Sequence, residues 1–405
     1  MKNNNLVIYR YRWVVLTVFS IINAIIQLQW LTFAPIAREA RLFYGVSALN
    51  IDLLSMIFMG VFLIVCVPAS FIIDTYGIRI GVGIGAALTG IFGLFKGVFA
   101  SSYSMVVLAQ IGLAVGQPFI INAATKVAGQ WFPIKERATA VGIATLAQFV
   151  GIIAAMIFTP MLITETIDGK YELSRMLMIY GIISFIGAIL FLTLSREKPA
   201  TPPGIERYNE RILVRDGLRH IIRQRDMQIV LIMFFIGLGM FNAISTCIDQ
   251  ICEIKGLTVA QTGLIGGMMI IAGIIGAIIL PILSDMFRKR KAFIIIGMVF
   301  MTPGLIGLTF FTEYHLLLIS SFVLGFFLLG AGAPISFQYS AEITYPAPES
   351  TSQGLLLLMG QISGIIFIIG MNILGMIPFM ITFVILAAVN IIFSLLLNES
   401  KLVQT

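Results

Sequence analysis

The dominant pattern of the chain is a succession of long apolar segments separated by short polar ones. Each apolar segment has about the 20 residues with which an α-helix crosses the hydrocarbon of a bilayer. Backbone polar groups must pair inside lipid, and the apolar runs are continuous rather than alternating, so the segments are expected to be helices. The pattern predicts twelve transmembrane helices, at residues 13–35, 52–73, 80–96, 104–129, 138–163, 173–194, 228–251, 258–284, 291–311, 316–341, 350–374 and 376–397.

An internal repeat relates the second six segments to the first six. At an offset of 213 residues, residues 148–153 fall on 361–366 and residues 131–136 fall on 344–349, with Pro, Glu, Gln and Gly in register. Apolar residues match by chance more readily than these four types do. The sequence therefore predicts an N-terminal six-helix bundle at 1–194, a linker at 195–226 and a C-terminal six-helix bundle at 227–405.

Composition and charge support a membrane protein and indicate its orientation. The chain is 59% hydrophobic and 11% charged, whereas soluble domains carry about 25% charged residues. Most of the 26 lysines and arginines fall at the two termini and in every second loop. Since these residues collect in cytoplasmic loops, we expect a multi-pass protein of the plasma or inner membrane with both termini cytoplasmic. The net charge of +7 is then a topology signal, and no nucleic-acid partner is expected.

The linker is the one long polar connection. It opens with Pro199, Pro202 and Pro203, which favour an extended chain. Residues 206–223 are predicted to form a helix that carries an arginine at every fourth position from Arg207. We expect this helix to lie against anionic headgroups at the inner surface of the bilayer, and the docking of a regulatory partner is the alternative.

Two charged loops occupy equivalent positions in the two halves. The loop after segment 2 carries Asp74, Gly77 and Arg79, and the loop after segment 8 carries Asp285 and Arg288 without the glycine. The first loop resembles the D-x-x-G-x-R core of the major facilitator signature. That resemblance implies two six-helix bundles, a solute site near the membrane midplane and transport by alternating access. We expect these five residues to form a conformational latch, and ordinary charged loops are the alternative.

A second set of matches runs through all twelve segments. The most specific is the run EITYP at residues 342–346, followed by Glu349, 351–352, 354–356 and Gln361. Shorter matches lie at residues 12–16, 29–30, 54–56, 74–79, 117–119, 131–132, 241, 245–246 and 250. By these residues the chain resembles the feline leukaemia virus subgroup C receptor-related transporters, a family linked to choline, ethanolamine and haem.

A candidate solute site combines amide and aromatic side chains. Gln148 and Gln361 are equivalent in the repeat and lie near the middle of segments 5 and 11, where an unsatisfied amide is costly. Trp30 offers a ring face that attracts an ammonium group. Considered without the resemblance, the two amides could equally join neighbouring helices, and Trp30 could be an interfacial anchor or a packing residue.

The family resemblance assigns roles to these positions. It implies that the tryptophan matching Trp30, an aromatic residue on segment 7 and the glutamines matching Gln148 and Gln361 surround the substrate. We predict a site in the bundle interior that is lined by these residues: Trp30, Gln148, Gln361, Asn242, Phe241, Met56 and Gln29.

The chain departs from the family at two positions of segment 7. Asn242 stands where family members carry a tyrosine, so that one wall of an aromatic cage is missing unless Phe241 or Tyr339 supplies it. Asp249 replaces the usual amide. The carboxylate could attract a cation or carry a proton, and an interfacial carboxylate without a transport role is the alternative.

Other chemistry is absent from the sequence. There is no G-x-x-x-x-G-K-[ST] motif, which disfavours an ATP-driven pump, and the three cysteines form no disulfide framework. His220 and His315 are remote from each other and suggest no metal site. We therefore expect no metal, no cofactor and no enzymatic activity. Gln110 stands where many proton-coupled members of the superfamily carry an arginine, which leaves facilitated diffusion open.

Three functions remain compatible with the sequence. The leading one is a monomeric carrier in the lipid bilayer for a small organic cation or amine, such as choline or ethanolamine. The second is a carrier of haem or an organic anion, for which Lys96 and Lys126 are the basic candidates within the segments. The third is a non-transporting receptor or sensor, against which the lack of a sizeable soluble domain argues.

Overall fold

The computed structural model describes residues 9–165, 171–199, 201, 221–344 and 349–400. Residues 202–220 of the predicted linker and residues 345–348 of the family match lie outside this part. The helices are α1 Arg12–Trp30, α2 Ala37–Tyr44, α3 Ala48–Tyr76, α4 Ile78–Val98, α5 Tyr103–Ile121, α6 Ala124–Trp131, α7 Ile134–Leu162, α8 Ser174–Leu194, α9 Arg225–Thr246, α10 Ile248–Glu253, α11 Val259–Phe287, α12 Arg290–Phe310, α13 Tyr314–Gly330, α14 Ser336–Ile343, α15 Glu349–Leu374 and α16 Met376–Leu396.

Polar side chains begin two of the long helices. Ser47 precedes α3, and its hydroxyl accepts a hydrogen bond of 3.3 Å from the backbone N–H of Asn50. Thr258 and Gln261 form a reciprocal capping box at the start of α11, which satisfies backbone donors that have no partner within the helix. Prolines interrupt several helix interiors, as membrane helices tolerate where neighbouring groups satisfy the freed backbone. These prolines are Pro68, Pro118, Pro160, Pro281 and Pro303.

The spans agree with the hydrophobic pattern. Within the described residues, 11 helical spans are long and apolar enough to cross a membrane, and the shorter apolar helix Tyr314–Gly330 accounts for the tenth predicted segment. The predicted all-helical membrane fold is thereby confirmed. The strands of the described chain are Thr164–Glu165 and Tyr171–Glu172, which form one antiparallel pair.

The tenth segment is not the continuous helix that the sequence predicts. A single π turn at Ala331–Ile335, which contains Pro334, separates α13 from α14. Proline lacks a backbone N–H and its ring crowds the preceding turn, so the regular hydrogen-bond ladder cannot continue through it. The consequence is a local widening of the helix near residue 332.

The chain forms two compact units. The first comprises Met1–Phe33 and Glu39–Asn209, and the second comprises Ala34–Arg38 and Glu210–Thr405. The five residues Ala34–Arg38, here called the strap, group with the second unit although their chain neighbours on both sides group with the first. Three of them, Ala34–Ile36, form a 3-10 turn. The linear division at residues 194 and 227 stays a prediction.

The two units share one packing pattern. In the first unit α1 packs on α7, α3 on α5 and α4 on α8, and in the second unit α9 packs on α15, α11 on α13 and α12 on α16. Each pair occupies the same place in its six-segment repeat. Small residues allow the closest approaches: a Cβ on Gly151 would lie 1.9 Å from the carbonyl oxygen of Ala24, and one on Gly325 would lie 1.9 Å from that of Met269.

Candidate functional site

Three amide side chains of the first unit form a relay across three helices. Gln117 on α5 donates a hydrogen bond of 2.9 Å to Oε1 of Gln27 on α1, and Gln27 donates in turn to Oε1 of Gln148 on α7 at 3.5 Å. Nε2 of Gln148 makes no hydrogen bond with any other described residue, and the side chain is half-buried. The relay therefore fixes the orientation of Gln148 and leaves its amide N–H groups available as donors.

Trp30 is the last residue of α1 and is tied to α3. Its indole N–H donates to the carbonyl oxygen of Ser55 at 3.2 Å, and the hydroxyl of Ser55 donates to the carbonyl oxygen of Trp30 at 3.2 Å. Met56, the next residue on α3, is also buried. This pair of hydrogen bonds fixes the position of the indole ring, which is the requirement for a preorganised cation-binding face.

Gln29 has a different environment from Trp30. Its Nε2 donates to the hydroxyl of Ser184 at 2.7 Å and to the carbonyl oxygen of Tyr180 at 3.2 Å, both on α8. The side chain is fully buried. These contacts make Gln29 an interhelical connection of the first unit, and its role as a solute ligand stays a prediction.

In the second unit, the neighbouring residues Phe241 and Asn242 on α9 have different surroundings. Phe241 lines a cavity inside the unit. Asn242 is buried, and its Nδ2 donates at 3.1 Å to the carbonyl oxygen of Gly360 on α15. The residue that replaces the family tyrosine therefore holds α9 to α15, immediately before Gln361 in the chain.

Gln361 carries an open acceptor. Its Oε1 is buried and has no hydrogen-bond partner elsewhere in the described chain. Tyr339, the other predicted candidate for the missing aromatic wall, donates from its hydroxyl to the carbonyl oxygen of Asn398 at 2.7 Å, just beyond α16. That hydrogen bond holds the Tyr339 hydroxyl at the C-terminal end of α16.

Asp249 on α10 forms a buried ion pair with Arg38 of the strap. The guanidinium donates to Oδ1 through Nε at 2.9 Å and through Nη2 at 2.7 Å, and the backbone N–H of Arg38 donates to Oδ2 at 2.7 Å. Arg38 also donates to the carbonyl oxygen of Leu257 at 2.7 Å. The carboxylate is fully buried, so the pair is a strong internal contact of the second unit. The carboxylate is not accessible to a solute cation in this arrangement. The predicted coupling role of Asp249 stays a prediction.

In the first charged loop, the acidic residue that contacts the helix end comes from beyond α8. Glu197 accepts from the backbone N–H groups of Ile78 at 3.1 Å and Arg79 at 2.7 Å, at the positive end of α4. Gly77 has φ +93°, and a Cβ there would lie 2.1 Å from the Glu197 carboxylate. Asp74 lies 3.9 Å from Lys126. The latch role of Asp74, Gly77 and Arg79 stays a prediction.

The second charged loop repeats this arrangement. Glu399, beyond α16, accepts from the backbone N–H groups of Arg290 at 2.8 Å and Lys291 at 3.2 Å. The Arg290 guanidinium pairs with Asp285 and lies 3.3 Å from Glu342. Arg288 has φ +53°, at the position equivalent to Gly77. The basic residue that makes these ion pairs is Arg290, and the latch role of Asp285 and Arg288 stays a prediction.

Sequence reasoning missed the two capping glutamates, although a signal was present. Each follows the last helix of its repeat by three residues, since α8 ends at Leu194 and α16 ends at Leu396. A search for matched acids after the sixth segment of each repeat would have found them. Because their backbone partners are more than 100 residues away, neither local periodicity nor helix propensity identifies the contact.

The two basic candidates for an anion site, Lys96 and Lys126, both contact neighbouring groups. Lys96 is fully buried, with its ammonium 3.4 Å from Oε1 of Gln110 and 5.4 Å from the centre of the Phe33 ring. Lys126 donates to the carbonyl oxygen of Ile73, next to Asp74. Neither is an unengaged cation that an anionic solute could use.

Comparison with known proteins gives a consistent result. The family model described as Major Facilitator Superfamily matches residues 13–368. The chain is 30% identical over 373 residues to the choline/ethanolamine transporter FLVCR1 of Felis catus, which covers 88% of this chain and 66% of the relative. It is 30% identical over 374 residues to the choline/ethanolamine transporter FLVCR2 of Rattus norvegicus, covering 88% of this chain and 68% of that relative. The chain thus spans about two thirds of the length of these curated relatives.

A solved structure has the same fold. It is the inward-facing, unoccupied form of a bacterial homologue of the human lysosomal transporter Spinster, with a TM-score of 0.78, 15% identity and coverage of 96% of this chain and 97% of that one. The predicted superfamily and the prediction that the protein is not an enzyme are confirmed. The chain is a multi-pass membrane transporter that belongs to the Major Facilitator Superfamily and, within it, to the feline leukaemia virus subgroup C receptor-related family.

Proposed function

We propose that this transporter carries a small organic cation or amine, such as choline or ethanolamine, by alternating access. The observation that carries the proposal is a pair of open amide groups, one in each unit. Gln148 keeps unbonded donors on Nε2, and Gln361 keeps a buried Oε1 that lacks a partner in the described chain. A hydroxyl group both donates and accepts, so each of these open groups can pair with the hydroxyl of a solute.

Aromatic rings supply the attraction for the cationic group. Trp30 is held rigidly by Ser55, and Phe241 is the buried aromatic residue on α9. An aromatic face attracts a desolvated ammonium by about 2 kcal/mol. No carboxylate is required for such a site, which agrees with the engagement of Asp249 by Arg38.

The alternative of an anionic solute or haem finds less support. A carrier for such solutes needs basic side chains free to contact them. Lys96 and Lys126 are instead bonded to neighbours within the first unit. A receptor without transport activity has no specific observation in its favour.

Orientation and membrane form part of the proposal. Arg79 lies in the first turn of α4, Arg288 lies between α11 and α12, and Arg290 is the first residue of α12, so all three belong to the two charged connections. Since basic loops stay in the cytoplasm, we place these loops and both termini on the cytoplasmic side of the plasma or inner membrane. We expect the transporter to act as a monomer.

Binding to the purified protein tests the proposal. Calorimetry would compare choline, ethanolamine and 3,3-dimethylbutan-1-ol, the neutral isostere of choline, with organic acids and haem as further arms. We expect choline to bind and its neutral isostere to bind about thirtyfold more weakly, the equivalent of about 2 kcal/mol. Trp30→Ala should remove that difference, whereas Trp30→Phe should keep part of it. Equal affinity for choline and its isostere in the wild type would overturn the proposal.

The amide contribution has a matched control. Gln148→Ala and Gln361→Ala should each weaken binding of choline by about 1 kcal/mol, or about fivefold, the scale of one neutral hydrogen bond. Gln110→Ala removes the same group from a buried side chain whose Nε2 and Oε1 are both bonded to neighbours. It should lower thermal stability while choline affinity is retained. Loss of affinity in Gln110→Ala alone would assign the site to the wrong amides.

A further inference from the structure

An apolar cavity lies wholly within the second unit. Phe241, Leu238 and Met233 of α9 line one side, and Met298 of α12 and Leu328 of α13 line another. The remaining walls come from Phe234, Gly237, Leu329, Gly332 and Ser336. No charged side chain contributes to this lining, so the cavity suits an apolar group.

The π turn gives the cavity its one hydroxyl group. Ser336 directly follows the turn at Ala331–Ile335, and its side chain makes no hydrogen bond with another described residue. Hydroxyls in the regular helices donate to a carbonyl oxygen one turn back, as Thr344 does to Ser340 at 2.7 Å. At Ser336 that carbonyl belongs to Gly332, within the widened turn, where the ladder of hydrogen bonds is shifted by one residue. Such turns occur frequently at functional sites.

The size of the cavity restricts its occupant. Its volume is about 40 Å³. Since about 10–15 Å³ by this measure holds one water molecule, the space accepts about two or three heavy atoms. A haem or a whole organic solute is excluded, whereas an ethyl group fits.

The cavity shares one residue with the predicted solute site, because Phe241 is part of its lining. Leu238 packs against Gly360, where an added Cβ would lie 2.2 Å from its side chain, and Gly360 also accepts the hydrogen bond from Asn242. Gln361, with its open Oε1, is the next residue. An amine whose nitrogen lies against the Phe241 ring therefore has this apolar space directly beside it.

We propose that the cavity is a subsite for an apolar N-substituent of the transported amine. The protein then binds a choline analogue that carries one N-alkyl group longer than methyl more tightly than it binds choline. This inference rests on the proposed function, because it presumes a cationic amine at Phe241. Phe241, Met233 and Met298 provide the apolar and polarisable surface that such a group prefers.

Calorimetry on the purified full chain with a homologous series tests the subsite. The series is choline and its analogues in which one N-methyl group is replaced by ethyl, propyl or butyl. We expect N-ethyl to bind about fourfold more tightly than N-methyl, the change that corresponds to about 0.8 kcal/mol per buried CH₂. The gain should end by N-butyl, which exceeds the available volume.

Two glycines allow the cavity to be filled without a clash. A Cβ on Gly237 would make ordinary contacts at 3.7 Å to Leu328 and 3.9 Å to Asn390, and one on Gly332 would meet nothing within 4 Å. Gly237→Ala and Gly332→Ala should each abolish the preference for N-ethyl over N-methyl. Gly142→Ala on α7, which also meets nothing within 4 Å, is the matched control and should keep the preference.

The outcomes of this experiment distinguish failure of the subsite from failure of the proposed function. An N-ethyl preference that survives both cavity-filling variants, or its absence from the wild type while choline still binds, overturns the subsite and leaves the proposed function standing. If neither choline nor ethanolamine nor any analogue binds, both fail. A preference lost in Gly142→Ala as well as in the cavity variants assigns the effect to the fold and overturns the subsite.

Discussion

At the scale of single residues, polar side chains in this protein differ in whether their hydrogen-bond donors and acceptors have partners among the described residues. Asn242 and Asp249 are buried and bonded within their own unit, and Gln29 is bonded through Nε2 but keeps an open Oε1. Gln148 and Gln361 also keep open hydrogen-bonding groups. The sequence predicted which positions are polar. It could not separate the two classes, because the deciding partner is distant in the chain, as with Arg38 and Asp249, which are 211 residues apart.

The Arg38–Asp249 pair should dominate the stability of the second unit. Asp249→Asn leaves a largely buried guanidinium without its counter-charge, and removing one partner of a buried pair costs about 3–5 kcal/mol. We expect a marked fall in thermal unfolding temperature, measured on the protein in detergent. Asp285→Asn, in an exposed ion pair, is the comparison and should have a small effect.

A double variant distinguishes an ion pair from a transport role for the carboxylate. Arg38→Met combined with Asp249→Leu removes both charges and should recover much of the stability lost in Asp249→Asn. Uptake by the wild type should be the same with and without an imposed proton gradient, because the carboxylate is engaged by the Arg38 guanidinium and backbone N–H. A gradient-dependent uptake that Asp249→Asn abolishes would contradict this and restore the proton-carrier interpretation.

At the scale of elements, the starts of α4 and α12 explain the two charged loops. A carboxylate beyond the sixth helix of each repeat caps the first backbone N–H groups of the third helix. The sequence identified the loops and their acid–base character. It could not identify Glu197 and Glu399, because a helix cap supplied from a distant segment leaves no spacing signal near the helix.

The backbone conformations of Gly77 and Arg288 give opposite predictions for equivalent positions. Gly77→Ala places a side chain at φ +93° against Glu197 and should lower stability. Arg288→Gly relieves an L-residue at φ +53°, a conformation that costs about 1–2 kcal/mol, and should raise the free energy of unfolding by about 1 kcal/mol. Denaturation of both variants by heat provides the measurement.

The neighbouring residue is the control for Arg288→Gly. Lys289 has φ −135°, an ordinary conformation, so Lys289→Gly gains no relief and adds freedom to the unfolded chain. It should be neutral or destabilising. If both glycine variants stabilise the protein equally, the strained conformation of Arg288 is not the cause.

The α9–α15 pair bears on the missing aromatic wall. From the sequence, Asn242→Tyr would rebuild the family's cage and strengthen the binding of quaternary amines. The structure gives a different expectation, because Asn242 is buried against Gly360, where the two helices are in close contact. Tyrosine there loses the hydrogen bond and overpacks the helix pair, which typically costs about 1–3 kcal/mol.

Stability and binding should therefore be measured together on Asn242→Tyr. We expect a lower unfolding temperature and no gain in choline affinity. Asn242→Asp keeps the size of the side chain without its N–H donor and separates loss of the hydrogen bond from overpacking. Tighter choline binding by a Tyr variant of wild-type stability would refute the packing argument.

At the scale of the whole molecule, the internal repeat was the most informative property of the sequence. The offset that superimposes Gln148 on Gln361 also predicts the matched helix pairs, since α1·α7 and α9·α15 are equivalent contacts. The π turn in segment 10 and the strap were not predictable in this way. The strap has no counterpart in the second half, and the interruption of segment 10 is matched by one in segment 4, between Ile121 and Ala124, where the sequence predicted a continuous helix.

Orientation in the membrane can be tested on the intact chain. Tyr76 is exposed between α3 and α4, and Ser102 is exposed between α4 and α5. We expect Ser102→Cys to react with a membrane-impermeant maleimide on intact cells, and Tyr76→Cys to react only after permeabilisation, because the basic loops lie in the cytoplasm. The wild type provides the background, since Cys247 and Cys252 are buried. The reverse labelling pattern would invert the proposed topology.

The strap ties the chain of the first unit to a contact of the second. Its five residues group with the second unit, yet the chain continues at both ends into residues of the first, at Phe33 and Glu39. The Arg38–Asp249 pair holds the strap within the second unit. The upstream junction follows Trp30 by three residues. The residue that carries the candidate cation-binding ring is thus separated by three residues of chain from a segment that belongs to the second unit.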